Sequence, residues 1–353
     1  VPKVAIDLRM VRGRLHGIAR YALALAQRLP ELEPSWSFVG LCDPDGLPAD
    51  LGPLQPMLPL VRCALPFLHP LEQPALAAAL LKERISLFHA TSFSLPALWP
   101  GRFVATLHDA IHLARRAEHT AVQRAYYALV VQPAARRARA LIAVSEHARA
   151  ELALHLGLSP ERLQVIPNGV DPRFKPPMSA DVATFRQRHR VPSEWYAAVG
   201  NAKPFKNLAL AIQLAAGLPA KLLLLDGSGA GASEPVQRLT SLTEAEMPCL
   251  YGGAVALLLP SRHEGFGLPA LEAMASGSPV VAANAGALPE VVGEAGILLS
   301  PDEPAAWREA LLRLYRDAPF RASYVERGLA RASRFSWDEC ARRTLAVYRR
   351  ALA

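Results

Sequence analysis

Between Val255 and Gly277 an apolar run, a loop with two glycines and a helix follow one another with hardly a spare residue. Val255 to Leu259 reads as a buried strand, SRHEGFG turns the chain, and Pro269 opens the helix. Such a junction belongs to parallel α/β architecture and gathers backbone N–H groups at a positive helix end. Two carboxylates sit beside these amides, Glu264 in the loop and Glu272, expected in the first helical turn. The amides of Gly265, Phe266, Gly267 and Leu268 attract phosphate, whereas carboxylates accept hydrogen bonds from hydroxyls and repel phosphate. A ligand suited to both carries phosphate and sugar.

The same alternation recurs along the chain, so the fold class read from the sequence is α/β with two parallel sheets. Lys3 to Leu8, Trp36 to Cys42, Leu87 to Ala90, Phe103 to Leu107, Leu141 to Val144 and Leu163 to Ile166 read as strands of a first domain, residues 1–170. Helices follow from Ile18, closed by Pro30, from Leu76, and over Ala121 to Ala140; Ser145 caps another. Asp171 to Pro192 has prolines, charges and weak periodicity, which suits a domain connection. Strands resume at Tyr196, Lys221, Val255, Val280 and Gly296 in a second domain, residues 171–336. Helices are expected over Glu303 to Leu314, Pro319 to Ala332 and Trp337 to Leu352.

With 353 residues, 51% of them hydrophobic, the chain is long enough for two such domains. No apolar run reaches the ~18 to 20 residues of a spanning helix, and the start lacks an export pattern, so a cytoplasmic protein is expected. The formal charge is +8. Its excess is divided as +5 up to Val170 and +3 beyond, spread rather than striped and without interleaved aromatics. This disfavours nucleic acid as a partner and leaves peripheral attraction to anionic lipid at the inner membrane face, or to a phosphorylated substrate, open. Cys42, Cys63, Cys249 and Cys340 form no CxxC pair and are read as reduced thiols.

Three further motifs lie at strand ends, where open α/β sheets keep ligands. In GNAKPFKN (200–207), Lys206 stands just ahead of a helix and could meet a diphosphate; Lys203 is a weaker candidate, and Asn201 is polar but uncharged. In TLHDAIHL, His108 could hydrogen-bond a sugar or leaving phosphate, and Asp109 could orient a group or meet an acceptor hydroxyl. His89, His108 and His112 have no metal-ligand spacing, so no metal or other cofactor is expected. LLLLDGSGAG (222–231) has Gly227 and Gly229 but not the third glycine of a dinucleotide fingerprint, and reads better as a tight turn. Glu264 and Glu272 as a glycosidase pair is the minor reading, since one loop feeding one helix flanks a sugar poorly.

Glu264-Gly-Phe-Gly-Leu-Pro-Ala-Leu-Glu272 is similar to the EX7E motif of retaining glycosyltransferases, and SRHEGFGLPALEAMASGSPVVA resembles glycosyltransferase family four of the GT-B fold. HGIARYALAL, LIAVSEHARAEL, VIPNGVDPRF, GNAKPFKNL and FSWDECARRTLAVY extend the resemblance over nearly the whole chain. It implies two Rossmann-like domains with parallel sheets facing across a cleft, the first binding the acceptor and the second a nucleotide-sugar donor. The helix 337–353 would complete the first domain. Carried over residue by residue, Glu264 meets donor sugar hydroxyls, Glu272 the ribose and Lys206 the diphosphate; Gly17 lies against the phosphates and His108 faces the transferred sugar. Family members often carry Arg where this chain has Asn201, leaving Lys203 or a first-loop arginine to substitute. The implied reaction is metal-independent, retaining transfer to an acceptor hydroxyl. GNAKPFKN is similar to bacterial mannosyltransferase-like members using GDP-mannose, with UDP-glucose or UDP-N-acetylglucosamine equally compatible. A lipid-linked saccharide, a natural-product aglycone or a soluble sugar fits as acceptor. A GT-B phosphorylase or synthase, a nucleotide-sugar epimerase and a catalytically silent binding module are the rival expectations.

Overall fold

The computed structural model describes residues 1–13, 16–47, 58–65, 69, 71–114, 120–227, 231–240 and 242–353. The chain divides into two compact units, Val1–Gly169 with Trp337–Ala353, and Val170–Ser336.

The first unit is built on seven strands: β1 (Lys3–Asp7), β2 (Ser37–Cys42), β3 (Leu60–Arg62), β4 (Leu87–Ala90), β5 (Arg102–Leu107), β6 (Ala140–Ala143) and β7 (Leu163–Val165). Their order is β3-β2-β1-β4-β5-β6-β7, and every pairing is parallel. Val4 is registered with Phe38 on one side and Leu87 on the other. Central strands covered on both faces need side chains that are apolar throughout, which is why KVAID shows no alternation. The sheet reverses direction of growth between β1 and β4, so a crevice opens beyond the carboxyl ends of those two strands.

The helix Trp337–Leu352 belongs to this unit. It buries Trp337, Cys340, Ala341, Thr344, Leu345 and Tyr348, a stripe at helical spacing. Its Tyr348 enters a buried hydrogen-bond circuit. The Tyr348 hydroxyl is bonded to His89 Nδ1 at 2.6 Å, His89 Nε2 to Thr106 Oγ1 at 2.8 Å, and Thr106 Oγ1 to the Tyr21 hydroxyl at 2.7 Å. Thr344 Oγ1 donates to Cys340 O at 2.8 Å. A neutral His89 carries one ring proton, so it donates at one nitrogen and accepts at the other. Burial holds His89 neutral, with its pKa pushed down to about 3.

The second unit also carries seven strands: β8 (Trp195–Val199), β9 (Lys221–Leu225), β10 (Gly231–Ser233), β11 (Val236–Arg238), β12 (Leu257–Leu259), β13 (Val280–Ala283) and β14 (Ile297–Leu299). The order is β10-β11-β9-β8-β12-β13-β14, parallel except where β10 and β11 form a hairpin. Here the reversal falls between β8 and β12, so the loops after those two strands share a crevice.

Several elements differ from expectation. Asp171 to Pro192 contains the helix Ser179–His189, which buries only Phe185 and so gives no apolar stripe to read. The helix Gly17–Leu32 continues past Pro30, whose missing N–H falls in the last turn. The expected long helix after Ala121 is interrupted by a π-helical turn at Tyr127–Val131 and ends at Arg137. All four cysteines are free and buried.

Candidate functional site

β8 runs out at Val199 and the chain turns through Pro204–Lys206, a 3-10 turn closed by Asn207 in left-handed backbone, φ 49°. Across the crevice, β12 runs out into the 260–267 loop. The two loops are joined directly: Arg262 N–H donates to Phe205 O at 2.7 Å and Asn207 Nδ2 to Pro260 O at 3.2 Å. This brings Lys206 Nζ to 2.7 Å from Glu264 Oε1, with only 17% and 10% of the two side chains exposed. A cation and an anion from different loops therefore meet at the reversal point of the sheet.

Backbone conformation holds Glu264 in place. Its carbonyl accepts from Ala287 N–H at 2.9 Å, and Gly286 packs so closely that a Cβ there would lie 2.7 Å from Glu264 N. Gly267, at φ 103°, supplies the turn into the helix Leu268–Ala275. Gly265 belongs to the same turn, and Phe266 and Leu268 are buried. Glu272 lies one full turn into that helix rather than in its first turn, 5% exposed, and accepts from the Tyr251 hydroxyl at 3.1 Å. The reason is that Pro269 and Gly267 start the helix at Leu268, so position 272 is its fifth residue.

Around the pair, Lys203 and Asn201 are exposed, and Asn201 Oδ1 accepts from Lys203 N–H at 3.2 Å. Lys203 Nζ and Lys206 Nζ each stand 5.7 Å from the Phe205 ring centre. Ser261, 1% exposed, has a buried hydroxyl oxygen with no partner among the described residues. Sequence reasoning passed over Ser261 and Tyr251; a serine directly after a buried strand end was the available signal for the first, and nothing marked the second. Gly227 makes a tight turn at φ 76° after β9, while Gly229 lies outside the described residues.

His108, Asp109 and Gly17 belong to the first unit. His108 follows β5; its Nε2–H donates to Thr91 O at 3.0 Å, leaving Nδ1 as the acceptor. The Tyr21 ring meets it edge-on, with centres 5.0 Å apart. Desolvation pushes its pKa down to about 4, so the ring is neutral at pH 7. Asp109 Oδ1 accepts from Ile111 N–H at 2.9 Å, closing the turn that follows. Gly17 is the first residue of its helix.

Residues 15–174 match Glycosyltransferase Family 4, and residues 199–317 match Glycosyl transferases group 1. The chain is a family-4-type glycosyltransferase of the GT-B fold. This glycosyltransferase is 28% identical to the O-antigen chain mannosyltransferase B of Escherichia coli, across 98% of its own length and 99% of that protein. It is 33% identical to the MMP alpha-(1->4)-mannosyltransferase of Mycolicibacterium hassiacum, over 71% of this chain and 66% of the other. In three dimensions it resembles Anabaena HepE, solved in complex with UDP and glucose, with a TM-score of 0.80, 20% identity, and coverage of 99% of this glycosyltransferase and 100% of that chain. Among the described residues no helix is long and apolar enough to cross a membrane.

Proposed function

We propose that this glycosyltransferase moves a hexosyl group from a nucleoside-diphosphate sugar to an acceptor hydroxyl with retention of configuration and without a metal. The observation that carries the reading is the Lys206–Glu264 pair at the strand-end crevice. Paired, the two side chains are neutral together and keep both charges solvated by one another. A diphosphate competes for the ammonium, which frees Glu264 to accept hydrogen bonds from sugar hydroxyls. Lys206, with the amides opening the helix Leu268–Ala275, then opposes the negative charge that grows on the diphosphate as the glycosidic bond breaks. Positive charge of this kind takes the part a divalent cation plays elsewhere.

Glu272, tied to Tyr251, is the ribose ligand, and neither carboxylate is assigned as a covalent nucleophile. His108 serves as a neutral hydrogen-bonding ring toward the transferred sugar, and Gly17 toward the phosphates. Asn201 and Lys203 stand at the rim of the donor site. Asp109 is placed on the acceptor side. The two mannosyltransferases among the similar proteins support a mannosyl donor.

Incubation with radiolabelled GDP- and UDP-hexoses, an acceptor panel and EDTA tests the proposal. Transfer is expected to persist in EDTA, to keep the donor's anomeric configuration, and to collapse in Glu264→Ala and Lys206→Ala. Unchanged turnover in both variants overturns it.

A further inference from the structure

In the second unit the helix Ala318–Ala332 carries Arg327 and Arg331, and Arg334 follows just past its end. Spacings of four and three residues put the three guanidinium groups on one side of the helix, where like charges repel. The carboxyl end of a helix favours cations, which accounts for positive charge there but not for three groups gathered around one space. That space is a cavity of about 420 Å³ lined by Arg327, Arg331, Arg334, Gly293 and Glu294 among others. It lies at the segment Gly293–Ala295, which leads into the amino end of β14. Because β8, β12, β13 and β14 run parallel, this is the opposite edge of the sheet from the crevice that holds Lys206 and Glu264.

Two of the arginines are held in place without being neutralised. Arg331 donates through Nε to Val291 O at 3.0 Å and through Nη2 to Glu290 O at 2.6 Å. Arg327 donates through Nε to Ser323 O at 3.1 Å, through Nη1 to Glu294 O at 3.2 Å and through Nη2 to Ser323 Oγ at 3.2 Å. Carbonyls and a hydroxyl orient a guanidinium and leave its charge intact. Aromatic rings complete the orientation: Arg327 lies over Tyr324, 3.9 Å from the ring centre, and Arg331 over Phe335 at 5.2 Å. Of five N–H groups each, five less three remain on Arg327 and five less two on Arg331. Arg334 is exposed, and its side chain has no partner among the described residues. Burial and the charge of Arg334 pull the pKa of Arg331 below the ordinary arginine value, an effect that Glu290 partly offsets. Glu294 is the one acid among the described lining residues, against three cations. Gly293, left-handed at φ 54°, leaves the Arg331 guanidinium uncovered on one side, since a Cβ there would lie 3.8 Å from its Cζ.

We infer that this cavity binds the phosphate group of an anionic ligand, separately from the donor. A phosphomonoester presents three terminal oxygens, enough to bridge three guanidinium groups, where a carboxylate presents two. Guanidinium edges match phosphate two-pronged, and stacking on a ring leaves those edges free. The space equals that of about fourteen waters at ~30 Å³ each, so it admits the phosphate and part of the group that carries it. An anion seated there offsets the repulsion between Arg331 and Arg334. A soluble phosphomonoester and a phosphomonoester lipid headgroup offer the same chemistry. Neither depends on which donor or acceptor the glycosyltransferase uses.

The test is calorimetric titration with glycerol 3-phosphate, alongside flotation with phosphatidylcholine vesicles that contain or lack phosphatidic acid. The proteins are the wild type, Arg327→Gln, Arg334→Gln, Arg316→Gln and Lys206→Met, with circular dichroism confirming that each is folded. The wild type is expected to bind at least one of the two phosphomonoesters, in the millimolar range or tighter. Loss of a charge-assisted hydrogen bond should weaken binding about tenfold in Arg327→Gln and in Arg334→Gln. Arg316, exposed and outside the cavity, and Lys206, in the donor crevice, should each matter by less than about twofold. Binding of glycerol 3-phosphate assigns a soluble ligand, and binding of the phosphatidic-acid vesicles alone assigns a headgroup. No binding of either probe, equal binding in Arg327→Gln, Arg334→Gln and wild type, or an equal loss in Arg316→Gln overturns the inference. A loss confined to Lys206→Met would put the phosphate in the donor crevice and overturn it as well.

Discussion

Lys206→Met separates what the Lys206–Glu264 contact does for the fold from what it does for the reaction. The pair is 2.7 Å long with 17% and 10% of the side chains exposed, between an open surface pair, worth about 0 to 1 kcal/mol, and a fully buried one, whose breakage costs about 3 to 5. Methionine fills the lysine's volume but leaves the Glu264 carboxylate alone, so the second unit should lose about 1 to 2 kcal/mol. Adding Glu264→Gln removes the stranded charge and should recover most of that loss in urea unfolding. Turnover should not recover. An electrostatic group that opposes charge in the transition state contributes about 10²- to 10³-fold in rate, and the double variant lacks it. The assay is initial-rate transfer from a labelled nucleotide sugar alongside equilibrium unfolding of the four proteins of the cycle. Recovery of turnover in the double variant to within tenfold of wild type would show that no positive charge is needed at position 206 and refute the reasoning.

Other consequences are as direct. Gly286→Ala places a Cβ 2.7 Å from Glu264 N at a residue with φ 60°, so the loop must shift; transfer should fall at least tenfold while nucleotide affinity changes less, measured by a KM against kcat comparison. Tyr348→Phe removes the partner of buried His89 Nδ1 and should cost the first unit about 1 to 3 kcal/mol, read as a lower urea midpoint. His89 and His108 have folded pKa values pushed down to about 3 and about 4, below the unfolded value of 6.5. The unfolded chain therefore takes up these protons first, and stability present above pH 6.5 should fall as pH drops toward 4, by about 1.4 kcal/mol per pH unit for each ring. Unfolding at pH 7 and pH 5, with His108→Asn halving the difference, checks this.

The parallel sheets were legible because strands such as KVAID and KLLLL are buried on both faces and carry the continuous apolar runs that such burial requires. Lys206 and Glu264 were legible because each follows a strand end. Their contact was not, since it depends on which strands neighbour one another, and β8 meets β12 only after β9 to β11 have been laid on its other side. The helix Ser179–His189 escaped notice because it presents one apolar side chain to the core. A hydrogen-bonded cluster around Arg9 in the first unit was hidden for a similar reason. Asp7 and Arg9 are two positions apart in sequence, but Glu72, Ser94 and Tyr126 come from three distant segments, and no local pattern announces that they converge.

The circuit through Tyr348, His89, Thr106 and Tyr21 also has a meaning in time. Residues 337–352 leave the ribosome after all of Val170–Ser336, yet the first unit needs them to satisfy a histidine at its centre. Until that helix is made, His89 has its Thr106 bond within the first unit but lacks the Tyr348 hydroxyl at Nδ1. Closing the circuit is a contact between positions 89 and 348, the kind of long-range step that slows folding. A chain that stops short of Tyr348 has every residue of the second unit and lacks a hydrogen-bond partner at the centre of the first.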